Sequence, residues 1–322
     1  MLSLEKIYSA YNALHGVVRK TDVIFAPKLR PGVDLFFKPE NLQITGAFKL
    51  RGAYYKISTL SADERAHGVI TCSAGNHAQG VAFAAQKNQI RAIICIPQNA
   101  PKNKIEATRS YGAEVCLVEG VYDDAYLRAK SLCEDMGYSF VHPFDDNEVI
   151  AGQGTVALEI INQLPDADAI VAPIGGGGLI AGVALAAKSI LPRIKIYGVQ
   201  STGAPSMLNS IRENRIITLP HVSTVADGIA VKKPGRIAFD VCSRLVDDIA
   251  LVSDDEICAA IFTLLKEYKI VAEGAGAAAV AAVMFDKFNL VGKRVVCIIS
   301  GGNIDSDALI RAIDRGVAYF GK

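Results

Sequence analysis

Ala169-Ile170-Val171-Ala172-Pro173-Ile174 runs directly into Gly175-Gly176-Gly177-Gly178, and these into Leu179-Ile180-Ala181-Gly182-Val183-Ala184. The first segment has the length and apolar character of a buried strand, and the last opens an apolar helix. Four consecutive glycines are costly to order, because glycine loses more backbone freedom on folding than any other residue. Placed between a strand and a helix, they point to bare backbone N–H groups facing something. A concave row of N–H groups at a helix N-terminus binds an anion, and phosphate above all. The segment reads as a phosphate cradle.

Two nucleotide readings fail on the neighbouring residues. A P-loop needs Lys-Ser/Thr directly after its glycines, and Leu179-Ile180 stand there instead. A dinucleotide fingerprint needs Gly-x-Gly-x-x-Gly and an acidic residue ending the next strand. That strand, Ile194-Lys195-Ile196-Tyr197-Gly198-Val199, ends in Gln200. The cradle alone leaves small phosphorylated cofactors open.

Composition sets the remaining bounds. The 322 residues suggest about two domains. Hydrophobic residues at 51% and charged residues at 21% are globular values. Lys plus Arg (34) nearly balances Asp plus Glu (33), so bulk charge attracts neither nucleic acid nor a membrane surface. The seven cysteines form no Cys-x-x-Cys pair, and several lie in apolar runs such as Ile93-Ile94-Cys95-Ile96. They read as buried free thiols in a reducing compartment, with no metal site. Met1-Leu2-Ser3-Leu4-Glu5-Lys6 lacks the layout of a signal peptide, and the apolar helix from Gly274 to Phe285 is too short to span a bilayer. A cytoplasmic protein is expected.

Short apolar strands alternate with helical patterns, the signature of a mostly parallel α/β sheet. Expected strands are 33–38, 69–73, 91–97, 114–118, 169–174, 194–199 and 295–300. Helices are expected over 77–87, 155–164, 255–268 and 305–316, the third opened by the capping run Ser253-Asp254-Asp255-Glu256. Two sheets follow. A small domain takes residues 53–145, and a large one takes 1–52 with 146–322.

In open α/β sheets strand ends line one crevice. Four segments would converge there: Ala47-Phe48-Lys49-Leu50-Arg51-Gly52, Ser73-Ala74-Gly75-Asn76-His77, the tetraglycine, and Ser300-Gly301-Gly302-Asn303. With these in view the chain resembles the fold-type II pyridoxal-phosphate enzymes, and within them the short, catabolic-type threonine dehydratases. The resemblance spans essentially the whole chain. It also covers Glu40, Ala151-Gly152-Gln153-Gly154-Thr155, Ala226-Asp227-Gly228 and Glu273-Gly274-Ala275-Gly276.

The resemblance implies two open, twisted, mostly parallel sheets flanked by helices, with pyridoxal 5'-phosphate in the cleft between a large and a small domain. Lys49, beside Phe48, is implied to bond the cofactor aldehyde. An amine with that task must deprotonate near neutral pH, and burial lowers a lysine's pKa to allow it. Freed by substrate, the same amine is the natural base for the α-proton. Asn76 is implied to hydrogen-bond the ring hydroxyl, and Gly175 to Gly178 with Leu179 to hold the phosphate. The turn Ser73, Ala74, Gly75, Asn76 and His77 would take the substrate carboxylate on its backbone. The His77 side chain reads as structural. Ser300 is implied to contact the pyridine nitrogen; a neutral hydroxyl cannot keep that nitrogen protonated, which favours prompt β-elimination over transamination. The implied reaction converts L-threonine or L-serine to 2-oxobutanoate or pyruvate, with ammonia.

Three other readings compete. Serine racemases share most of these motifs but carry a serine at the position of Ala74, and place metal-binding carboxylates where Gln200 and Ser206 stand. Cysteine and cystathionine synthases follow their lysine with Asp-Arg, unlike Lys49-Leu50-Arg51-Gly52. A binding or regulatory protein that keeps the fold without the reaction would not be expected to retain Lys49, Asn76 and Ser300. A C-terminal amino-acid-sensing domain is not expected in a chain ending soon after its last motif. Thr45, Gln79 and Asn303 match positions implicated in relatives that take an AMP-type nucleotide at a subunit interface, although Ile44 replaces a basic residue. A homodimer or homotetramer is the expected assembly.

Overall fold

The computed structural model describes residues 1–321. Its strands, in chain order, are β1 (Ile24–Phe25), β2 (Asp34–Pro39), β3 (Val69–Cys72), β4 (Ala92–Pro97), β5 (Glu114–Val118), β6 (Ser139–Phe140), β7 (Ala169–Pro173), β8 (Lys195–Ser201), β9 (Asp248–Val252) and β10 (Arg294–Ile299). They form a six-stranded sheet, β1-β2-β10-β7-β8-β9, and a four-stranded sheet, β5-β4-β3-β6. Every pairing is parallel except the short β1–β2 pair. The chain is the mostly parallel, helix-flanked α/β fold that its sequence implies.

Parallel strands covered on both faces read as continuous apolar runs, because each successive side chain enters a different core. In β7 and the residue after it, Ile170, Ala172 and Ile174 pack on one side with the helices Asn147–Gln163 and Gly178–Ile190. Ala169 and Val171 face the other side, with the helices Asp254–Tyr268 and Gly274–Met284. β10 repeats the pattern: Val296 and Ile298 enter the first core, and Val295, Cys297 and Ile299 the second. The smaller sheet divides Ile94 and Ile96 from Ile93 and Cys95 in the same way.

Two sequence expectations change. The helix expected from Thr155 begins at Asn147, capped by Asp146, whose side chain accepts from the amides of Glu148 and Val149. Gly152 and Gly154 argue against helix by propensity, yet both are needed for close packing. A Cβ on Gly152 would lie 2.5 Å from Gly52 Cα, and one on Gly154 would lie 2.9 Å from the Gly182 carbonyl oxygen. Tertiary contact overrides propensity here. The cysteines are free thiols, but Cys116 and Cys133 are only half-buried.

The helix Lys49–Ser58 is fixed from below by a cluster of charges withdrawn from water. Arg51 donates to Glu40 at 2.8 and 2.9 Å and to Glu159 at 2.7 and 3.0 Å. Lys38 completes the set, with its amine on Glu159 Oε2 at 2.5 Å. Two cations and two carboxylates neutralise one another, the condition for burying such groups. The cluster joins β2, the Lys49 helix and the Asn147 helix.

Candidate active site

The C-terminal ends of β3, β7 and β10 open onto one cleft of about 990 Å³. Its walls include Phe48, Lys49, Ser73, Ala74, Gly75, Asn76, His77, the four glycines, Leu179 and Ser300. Four segments far apart in sequence therefore meet. The neighbouring positions of β7 and β10 set the tetraglycine beside Ser300. The Lys49 segment is tied to the end of β10 by a bridge between Ala47 and Gly301 and by the Phe48 N–H donating to the Ser300 carbonyl at 3.1 Å.

Lys49 is the first residue of its helix, and its amine donates to the Pro143 carbonyl at 2.7 Å. Burial pulls its pKa down from the ordinary lysine value to about 8, against the opposing attraction of Glu273. The receiving turn is held by the His142 ring, whose Nδ1 accepts from the amides of Phe144 (3.3 Å) and Asp145 (2.8 Å). That acceptor role needs a neutral imidazole, and burial pushes its pKa down to about 4.

The tetraglycine is shaped by close contacts. A Cβ on Gly176 would fall 2.3 Å from the Phe144 ring, and one on Gly178 would fall 2.7 Å from the Phe144 carbonyl oxygen. Gly177, at φ +97°, occupies the left-handed region that favours glycine and caps the helix Gly178–Ile190. Among the described residues no acceptor meets the amides of Gly175 to Leu179. The loop thus offers several unpaired N–H groups at the positive end of a helix.

A second set of donors follows β3. Gly75 caps the helix Asn76–Asn88, and the amides of Ala74, Asn76 and His77 likewise have no acceptor among the described residues. His77 turns away from chemistry: its Nε2 lies 2.9 Å from the Val141 carbonyl oxygen, and burial pushes its pKa down to about 3.

Sequence reasoning assigned no role to Glu273. It stands at the N-cap of the helix Gly274–Met284 without making a side-chain cap bond. Its Oε1 instead accepts from Asn76 Nδ2 at 2.6 Å, and burial with nearby Asp227 pushes its pKa up to about 7. The detectable signal was a lone acid before a wholly apolar helix that did not need it as a cap. Asp227 pairs with Lys104 at 2.7 Å, joining the helix Lys102–Ser110 to a turn carried by the larger sheet. Phe144 gave no comparable signal, since its importance lies in what it denies to Gly176. Thr45 and Gln79 are buried, and Asn303 donates to the Thr45 carbonyl and to Asn76 Oδ1, each at 2.7 Å.

This geometry has close counterparts. An L-threonine ammonia-lyase of Thermotoga maritima is 48% identical over 324 residues, covering 100% of this chain and 80% of its own. The processed form of threonine deaminase isoform 2 from Solanum lycopersicum superposes with a TM-score of 0.93 at 40% identity, over 98% of this chain and 88% of that one. Maize serine racemase gives a TM-score of 0.92 at 35% identity, over 100% and 99%. The family described as pyridoxal-phosphate dependent enzyme matches residues 14–301, and the chain belongs to it.

Proposed function

We propose that the protein is an ammonia-lyase that converts L-threonine, and L-serine, to 2-oxobutanoate or pyruvate and ammonia by α,β-elimination. The observation that carries the reading is a buried lysine amine with a pKa near 8 in the same cleft as two rows of unpaired backbone donors. The similar ammonia-lyase and threonine deaminase support it.

The residues fit pyridoxal phosphate. Unpaired amides from Gly175 to Leu179 match a phosphate dianion. Lys49 would bond its aldehyde, Asn76 would meet its ring oxygen, Ser300 its ring nitrogen, and Phe48 would line its pocket. When bound, pyridoxal phosphate supplies the electron sink that acidifies the substrate Cα–H.

The protein's own groups do the rest. The amides of Ala74, Asn76 and His77 take the substrate carboxylate, a charge-assisted contact that fixes which bonds at Cα face the base. Lys49, with a pKa close to neutral, is matched to removing the α-proton and returning it where needed. Ser300 places a neutral oxygen where a carboxylate would stabilise a longer-lived carbanion. Ala74 ends in a methyl group, which has no proton to deliver.

Residues 53–145 serve as the small domain and 1–52 with 146–322 as the large one. We assign the enzyme to the cytoplasm, consistent with its free thiols, as a homodimer or homotetramer. Exposed Leu42 and Ile44 give apolar area for such an interface, beside Thr45 of the AMP-type effector set with Gln79 and Asn303.

The likeness to a serine racemase favours one second reading, racemisation. Gln200 speaks against a metal site of the kind that reading implies: it is fully buried, and its amide is used by Leu208 N–H (2.9 Å) and the Ile174 carbonyl (3.3 Å). Incubation with L-threonine and L-serine, with and without AMP, followed by chromatography of 2-oxo acids and of serine enantiomers, tests both. Elimination predicts 2-oxo acid and ammonia in equal amounts. D-serine as the main product would overturn it.

A further inference from the structure

Asn76, Asn303 and Glu273 form a hydrogen-bonded relay that runs from a backbone carbonyl, which can only accept, to Glu273 Oε1, which accepts from Asn76. At one end is the Thr45 carbonyl oxygen, which receives one N–H of Asn303 at 2.7 Å. The other N–H of Asn303 goes to Asn76 Oδ1, also at 2.7 Å. At the far end the Glu273 carboxylate receives an N–H of Asn76 at 2.6 Å. A side-chain amide has one oxygen and two N–H donors, so each bond constrains the next. Turning Asn76 over would set its nitrogen against Asn303 Nδ2, donor against donor in place of a bond, and its oxygen against the Glu273 oxygen whenever that carboxyl is ionised. The backbone holds both ends: Glu273 N–H donates to the Gly301 carbonyl at 3.1 Å, and Gly302 N–H to the Gly46 carbonyl at 2.9 Å. Space is also reserved, since a Cβ on Gly301 would lie 2.4 Å from Glu273 Oε1 and 3.1 Å from Asn76 Nδ2.

One donor is left over. The second N–H of Asn76 has no acceptor among the described residues, and Asn76 lines the cleft. We infer that Glu273 and Asn303 are positioning residues that lock the Asn76 amide with one N–H turned toward the cofactor's ring oxygen. The contact is then a donation to that oxygen, which holds it in its ionised, oxide form. This rests on the cofactor reading above. Both positioning residues act through Asn76.

The test is the visible absorbance of the holoenzyme and its cofactor dissociation constant by equilibrium titration, for variants at opposite ends of the relay. Asn303→Asp replaces donors by acceptors, and Glu273→Leu removes the terminal acceptor. Each is expected to weaken cofactor binding about tenfold, the worth of one oriented hydrogen bond, and to shift the yellow band to shorter wavelength. Glu273→Gln, which can still present an oxygen, is expected to keep the wild-type band. A purely structural role would lower the melting temperature without moving the band. Wild-type band and affinity in either disruptive variant that folds would overturn the relay. The band surviving in Lys49→Ala would overturn the cofactor reading instead, so the two failures are distinguishable.

Discussion

Gly176 and Phe144 are packed so closely that a methyl group at position 176 would fall 2.3 Å from the aromatic ring. The ring and the glycine together define how the tetraglycine backbone lies. Gly176→Ala must displace one of them. We expect cofactor affinity to fall at least tenfold, with a stability loss of about 1–3 kcal/mol, the usual cost of overpacking. The double variant Gly176→Ala/Phe144→Ala should recover part of the affinity. Equilibrium titration and thermal melting measure both; unchanged affinity in the single variant would contradict the cradle geometry.

The large elements were legible because their chemistry is local. Apolar runs such as Ile93 to Pro97 and Val295 to Ile299 can only be strands covered on both faces, and both are. β1 and β6, two residues each, carry no periodicity at all, and β9 is an edge strand that exposes part of its side chains. The convergence of Lys49, Asn76, the tetraglycine and Ser300 was readable from motif order. Glu273, Phe144 and His142 were not. Their contributions are contacts made across the fold: a carboxylate on a distant amide, a ring against bare backbone, and an imidazole bracing the turn that receives Lys49.

Ser300 directly follows β10, almost fully buried, among the groups of the cleft. A carboxylate there would keep the cofactor's ring nitrogen protonated and prolong charge delocalisation. In Ser300→Asp saturated with cofactor, we expect the products to shift from elimination toward transamination. Product ratios equal to wild type would show that Ser300 does not meet that nitrogen.

Ala74 separates elimination from racemisation. Without a second proton donor, D-serine should form at well under a tenth of the elimination flux, since a missing general acid costs roughly a hundredfold or more. Ala74→Ser should raise D-serine formation measurably. Chiral chromatography reads this directly, and abundant D-serine from the wild type would contradict the assignment.

Glu273 gives a pH signature in the cofactor-free protein. Burial and Asp227 raise its pKa from 4.5 to about 7, against Asn76, Lys104 and Lys49, which favour the charged form. Between those values the native state keeps a proton that the unfolded chain has lost. Stability contributed by this group is therefore full below pH 4.5 and declines as pH rises toward 7, by up to about 3 kcal/mol. Glu273→Gln should flatten that part of the stability profile. Denaturant unfolding at pH 5, 6 and 7 would contradict the argument if the two proteins showed the same slope.

The central claim is that Lys49 is the residue joined to the cofactor. Its amine lines the cleft together with the unpaired glycine amides and has its pKa drawn down to about 8, whereas Lys104 of the same cleft is paired with Asp227. Borohydride reduction of the yellow holoenzyme, followed by peptide mapping, measures the site of attachment without depending on turnover. The account predicts a single pyridoxyl-modified peptide carrying the mass on Lys49, and loss of both band and label in Lys49→Ala. Label on Lys104 or any other lysine, with Lys49 unmodified, would contradict it.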